Sequence, residues 1–386
     1  DMYAATEKTV TVYSQGVNQS VQGTDKVNAI INCHLHTGRI GKPGTGPFSV
    51  TGQPNAMGGR EVGGLANQLA CHMDIENEAD RSLVQSFWNS PRIAQQTGLK
   101  AVELFKAIRE GRVKAVWIMG TNPVDRMPDA DSVARALAEC PFVVVSDVND
   151  NTDTVRYANV LLPAAAWGEK SGTVTNSERR MSRQRPFLPL PGKARPDWWI
   201  ICQVARRMGF ASAFDYAGPA DIFREYAELS GRENNGKRDF DISGLAGLSN
   251  QGYDDLTPVQ WPVRTNAKPG PWDRRFFADG AFYTPDGRAR FMPVSIPSPR
   301  RNATTADTLI LNTGRIRDQW HTMTRTGKSP RLSRHIAEPY CEIHPQDARQ
   351  FGIEPATLVE ISSRYGTVSV RAIVTERQQK GSVFVP

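Results

Sequence analysis

The chain has 386 residues, with 47 Lys and Arg against 40 Asp and Glu and a formal charge of +7. Its mean hydropathy of −0.45 and 39% hydrophobic content fit a globular protein of roughly two or three domains, and exclude collagenous, coiled-coil, low-complexity and disordered classes. No apolar run nears the roughly 20 residues a bilayer span requires; the longest, 158–167, is broken by Pro163, so no membrane insertion is expected.

Taken in chain order, residues 8–13 (KTVTVY) read as a β-branched strand, and 24–37 as a helix with Val27, Ile30, Ile31 and Leu35 on one face and Gly38 just beyond. The polar loop 14–19 lies between them. Residues 38–47, rich in Gly and Pro, form either a linker or a ligand-facing loop. A helix is predicted over 101–109, a buried strand over 113–119, a turn at 120–123, a helix over 131–140 and a second apolar strand at 142–145. Strand, crossover helix and strand make a parallel α/β unit, and a further apolar segment follows at 159–162. Residues 232–305 weaken into Pro-, Gly- and Asp-rich connections. The last stretch changes character, with β runs at 308–312, 340–343, 357–363, 366–375 and 381–385 and a hairpin turn at 364–366, the pattern of a compact β-barrel.

Ligands of parallel sheets sit at the carboxyl ends of the strands. Loops 14–19 and 120–123 and the pair Ser146-Asp147 each follow a strand, so they are either a cradle for a phosphorylated nucleotide or plain turns. Asp147 is placed to accept guanine or ribose hydrogens, or merely to cap its turn. Two Gly/Arg loops, 51–63 and 313–327, join cations to small residues, as anion binding requires. The cluster from Glu169 to Arg180 reads as salt-bridged surface. Among known catalytic signatures, GxSxG, HExxH and Walker A are all missing. The six histidines lack metal spacing, and the basic residues are dispersed, so no nucleic-acid partner is expected. Five scattered cysteines, Cys33, Cys71, Cys140, Cys202 and Cys341, have no CxxC spacing and fit a reduced, cytoplasmic compartment.

Six ordered motifs along the chain carry a family resemblance: YSQGVNQSVQGTDK (13–26), HTGRIGKPGTGPFSVTGQPNAMGGREVGG (36–64), IMGTNPV (118–124), VVSDV (144–148), VLLPAAAWGEKSGTVTNSERR (160–180) and LNTGRIRDQWHTMTRTG (311–327). They resemble the molybdopterin oxidoreductases of the dimethyl sulfoxide reductase family, and within it the C-terminal half of assimilatory nitrate reductase catalytic subunits. The resemblance implies a bis-molybdopterin guanine dinucleotide cofactor with molybdenum. It also implies a 4Fe-4S cluster and a protein ligand to molybdenum in a missing N-terminal part, with Asp1 a truncation point. The implied architecture is parallel-sheet dinucleotide-binding-like α/β domains, one ending at 1–55 and a second at 56–231, then an irregular connection at 232–305. An incomplete C-terminal β-barrel of double-psi type follows at 306–386.

Carried over residue by residue, the family's cofactor contacts fall on Gln15, Gln19, Asn122, Ser146, Asp147, Lys170, Asp197, and Thr313, Gly314, Arg315, His321 and Thr322. Arg60 matches a position that nitrate-reducing members carry near the metal funnel, where a planar guanidinium suits a planar oxyanion. Formate dehydrogenases carry a catalytic Arg at the position of Thr51. The implied reaction is two-electron reduction of nitrate to nitrite, served by an electron-donor protein or reductase subunit. The alternatives are formate dehydrogenase or another oxidoreductase of the family, and a metal-free structural relative like the large iron-sulfur subunit of respiratory complex I.

Overall fold

The 101–109 prediction holds residue for residue: a helix covers Ala101–Arg109 and buries Phe105, Ala107 and Ile108. In the computed structural model, which describes residues 1–50, 53–265, 275–295 and 308–386, this helix belongs to one of two compact units. The first unit is formed by Asp1–Lys100 and Ala165–Pro297, the second by Ala101–Ala164 and Ser298–Pro386.

In the second unit, the strands Ala115–Met119, Phe142–Asp147 and Val160–Pro163 form a parallel sheet in that order. The helix Ala130–Glu139 makes the crossover between the first two, its start capped by the Asp129 carboxylate, which accepts the Ser132 N–H. Phe105, Ile108, Val133, Leu137, Ile118, Val143 and Val145 form a common core, each large apolar side chain worth about 1.5–3 kcal/mol on burial. The C-terminal strands Ile310–Thr313, Tyr340–Ile343, Leu358–Ser363, Gly366–Val374 and Ser382–Val385 fall within two residues of the sequence reading. They make a curled, mixed five-stranded sheet in which Gly366–Val374 and Ser382–Val385 flank Tyr340–Ile343, packed over Cys341, Ile343, Ala348, Val370 and Val383.

In the first unit, the predicted helix appears as Gly23–His36, between the strand Val10–Tyr13 and a parallel partner, Gly46–Ser49. That second strand emerges from the end of the Gly/Pro loop, where a four-residue run (GPFS) carried no strand pattern. Val27, Ile30, Ile31 and Leu35 are only half-buried; the fully buried side chain of this helix is His34, whose Nε2 meets Thr11 Oγ1 at 2.8 Å. In the Glu169 to Arg180 cluster, read as salt-bridged surface, Glu178 and Arg180 do pair at the surface, but the segment also holds strands the reading did not include. Gly172–Thr175 and Arg180–Gln184 form an antiparallel hairpin, extended by Val259–Gln260. Its short polar strands lack apolar alternation, which hid them. The described residues 232–265 and 275–295 are mostly irregular in backbone apart from short pieces such as the helix Asn250–Asp254, yet Phe240, Ile242, Tyr253 and Trp261 form much of this unit's core with Met73, Val84, Phe223 and Leu229.

Candidate cofactor-binding site

The parallel sheet of the second unit brings its polar turns side by side, because its register pairs Met119 with Ser146 and Asp147 with Pro163. The Gly120 N–H donates to the Ser146 carbonyl at 2.9 Å, and the Ser146 hydroxyl accepts the Trp117 indole N–H at 2.8 Å. Asp147 caps its own turn, accepting the Asn149 N–H at 3.1 Å through Oδ1, while no described residue engages its Oδ2.

Asn122 turns inward. Its Oδ1 accepts the Thr154 hydroxyl at 2.6 Å and the Thr154 N–H at 3.4 Å, and its Nδ2 donates to Asp125. The Asn122 side chain thus holds the turn from within, ahead of the short helix Pro123–Arg126. Burial, followed by hydrogen bonding and charge from Asp153, pushes the Asp125 carboxyl up to about 6.

The loop after the strand Ile310–Thr313 meets these turns. Lys328 Nζ donates to Asn149 Oδ1 at 2.8 Å. His321, held at φ 48°, has its pKa lowered first by burial and then by Arg126, Arg315 and Arg325. At Gly314 the chain passes close to the Phe384 ring: a Cβ there would stand 2.8 Å from it, so the ring would have to shift. Thr322 and Thr324 share a hydroxyl hydrogen bond of 2.6 Å, and the buried Gln319 Oε1 has no partner. Such a surplus of cationic and polar groups beside strand ends fits a polyanionic nucleotide.

The first unit brings together two sequence-predicted residues 27 positions apart: Lys170 Nζ lies 2.6 Å from Asp197 Oδ2 at the start of the helix Asp197–Ala205. Gln15 opens the short helix Gln15–Asn18 and Gln19 closes it, neither side chain having a partner among the described residues. Arg60 lies exposed on the helix Ala56–Glu61, its guanidinium likewise unpaired. Thr51 lies outside the described residues. Sequence reasoning missed Arg126 and Lys328. Arg126 sits four residues past Asn122, one helical turn away, which was the available signal; Lys328 carried none. Among the described residues, no group of three His, Cys, Asp or Glu side chains could hold a metal ion, and no helix is long and apolar enough to cross a membrane.

Residues 3–207 match the molybdopterin oxidoreductase family, and 309–386 match the Molydopterin dinucleotide binding domain. The chain therefore belongs to the molybdopterin oxidoreductase family, and its C-terminal sheet is a pterin-dinucleotide-binding domain. It is 53% identical over its whole length to a nitrate reductase of Klebsiella oxytoca and 35% identical, over 97% of its length, to the assimilatory nitrate reductase catalytic subunit of Bacillus subtilis. An F420-dependent formate dehydrogenase 2 subunit alpha of Methanococcus maripaludis is 33% identical over the whole chain. The chain spans 43%, 51% and 54% of these relatives. Among solved structures, acetylene hydratase from Pelobacter acetylenicus superimposes with a TM-score of 0.56 at 17% identity, covering 74% of this chain and 39% of that one, which shows a shared fold.

Proposed function

We propose that this chain is the cofactor-binding part of a molybdenum nitrate reductase that converts nitrate to nitrite. The carrying observation is full-length similarity to proteins named nitrate reductases, at 53% identity for the Klebsiella oxytoca relative against 33% for a formate dehydrogenase. When bound, bis-molybdopterin guanine dinucleotide supplies the molybdenum centre at which two electrons enter nitrate and one N–O bond is broken.

The chain's own residues bind and orient. In the second unit, Arg315, Thr313, Gly314, Thr322 and His321, with Arg126 and Arg325, form the donor set for pyrophosphate and pterin groups, and Gln319 Oε1 is an acceptor for a pterin or guanine N–H. Asp147 Oδ2 accepts the guanine or ribose hydrogens, while Asn122 and Ser146 shape the turns that present it. In the first unit, Lys170 donates to a phosphate or pterin oxygen with Asp197 fixing its direction, and Gln15 and Gln19 offer free amides. Arg60 captures the planar oxyanion through paired N–H groups. The 4Fe-4S cluster, the protein ligand to molybdenum and the docking surface for an electron donor are assigned to parts of the enzyme outside this chain. We assign the C-terminal sheet to the double-psi type of barrel and the enzyme to the cytoplasm.

The test is an assay of the full-length protein with nitrate and with formate, using a viologen dye as electron carrier. Nitrite formation is expected, and formate oxidation without nitrate reduction would refute the reading. Arg60→Ala removes a charge-assisted hydrogen bond worth about 1.5–3 kcal/mol, so kcat/KM for nitrate should fall roughly 10- to 100-fold, chiefly through KM.

A further inference from the structure

Arg60 stands on a helix of only six residues, Ala56–Glu61, too short to be stable by itself. Its direction is set from outside, and both of its ends are tied to one residue. At the amino end, Asn55 Oδ1 accepts the Thr175 backbone N–H at 2.9 Å. At the carboxyl end, Glu61 Oε2 accepts the Thr175 hydroxyl at 2.8 Å. The remaining Glu61 oxygen, Oε1, accepts the Trp261 indole N–H at 2.7 Å. Glu61 and Trp261 are 2% and 3% exposed and Thr175 5%, so the two bonds to the Glu61 carboxylate are shielded from water, while the Asn55 bond is half-buried. The Asn55 side chain folds back onto the helix, where a Cβ at position 58 would overlap it; Gly58 leaves that space.

A six-residue helix pinned at both ends, with its single arginine exposed and unpaired, is a device for aiming that arginine. We propose that Asn55, Glu61, Thr175 and Trp261 act as a latch that fixes the line of approach of Arg60, making Glu61 and Thr175 positioning residues for oxyanion capture. The inference rests on the reading of Arg60 as the nitrate-binding residue. Its physical basis is the dependence of a paired, charge-assisted hydrogen bond on distance and angle, so that a misaimed guanidinium binds the anion less tightly.

The test uses the full-length, molybdenum-loaded enzyme with nitrate. Thr175→Val keeps the shape and the backbone N–H but removes the hydroxyl bonded to Glu61. It should raise KM for nitrate about tenfold, with kcat and molybdenum content close to wild type. Thr175→Ser, which restores the hydroxyl, should return KM to the wild-type value. In the Arg60→Ala background, Thr175→Val should add no further rise in KM, since the latch acts only through Arg60. If Thr175→Val does not accumulate as folded protein, Thr175→Ala, which likewise removes the hydroxyl bonded to Glu61 and keeps the backbone N–H, gives the same readout.

An unchanged KM in Thr175→Val or its substitute, alongside a raised KM in Arg60→Ala, would overturn the latch and leave the Arg60 reading standing. An effect of Thr175→Val that adds fully to that of Arg60→Ala would overturn it as well. An unchanged KM in Arg60→Ala would remove the Arg60 reading, and the latch with it.

Discussion

Replacing Asn122 by alanine tests whether this side chain is a structural brace of its turn. Asn122 is 6% exposed, and Thr154 is fully buried against it. The substitution strands the Thr154 N–H, and leaves its hydroxyl without the acceptor it now reaches at 2.6 Å. Each buried donor left unpaired costs about 1–3 kcal/mol. The exposed Asp125 also loses its Asn122 donor, but water replaces that bond at little cost. Because the N–H bond is long, at 3.4 Å, it counts at the low end, and the expected loss is roughly 2–4 kcal/mol, equivalent to a fall in Tm of about 5–15 °C for a domain of this size. Urea unfolding of the purified chain, followed by far-ultraviolet circular dichroism, should show the midpoint falling by about 1–2 M with an unchanged slope. A loss below about 0.5 kcal/mol, the range of an ordinary surface substitution, would refute the brace and return the Asn122 amide to direct ligand contact.

Other consequences follow from the same loops. Burial and three arginines lower the pKa of His321, so a polyanion that neutralises those arginines should raise it again and couple binding to proton uptake by the imidazole. Binding of pyrophosphate or GDP, measured calorimetrically, should therefore tighten as the pH falls into the ordinary histidine range, and His321→Asn should flatten that dependence; weaker binding at lower pH would contradict the sign. In the ligand-free chain the depressed pKa works the other way. Unfolded His321 takes a proton near its usual value of about 6.5 while the folded residue resists, so stability is full above that pH and declines below it. Gly314→Ala places a methyl 2.8 Å from the Phe384 ring and should cost about 1–3 kcal/mol. Phe384→Leu should recover part of this loss in thermal melts, and no recovery would place the strain elsewhere.

What the sequence made legible depended on local signals. The helix Ala101–Arg109 and the five C-terminal strands carry their period within a few residues and lie where expected. The pairing of Val10–Tyr13 with Gly46–Ser49 spans a whole crossover, and the hairpin ending at Gln184 alternates without apolar contrast, so neither carried a local sign. Of the site residues, Lys170 and Asp197 meet, and Asp147 is linked through Asn149 to Lys328, the residue that follows the 313–327 loop. The inward turn of Asn122 was not legible, because an amide reads alike whether it faces Thr154 or a ligand. Nor could sequence spacing show that Thr175 reaches both ends of the Arg60 helix, from about 120 residues away.

The central claim is that the cations around His321 hold a pterin guanine dinucleotide. The most direct test is the ratio of guanosine monophosphate, released by acid hydrolysis, to molybdenum in the purified full-length enzyme, compared with an Arg126→Gln, Arg315→Gln, Arg325→Gln triple variant. Two nucleotides per molybdenum in the wild type, and a variant that folds but loses most of both, are expected. A variant that retains its full complement of nucleotide and metal would contradict the account.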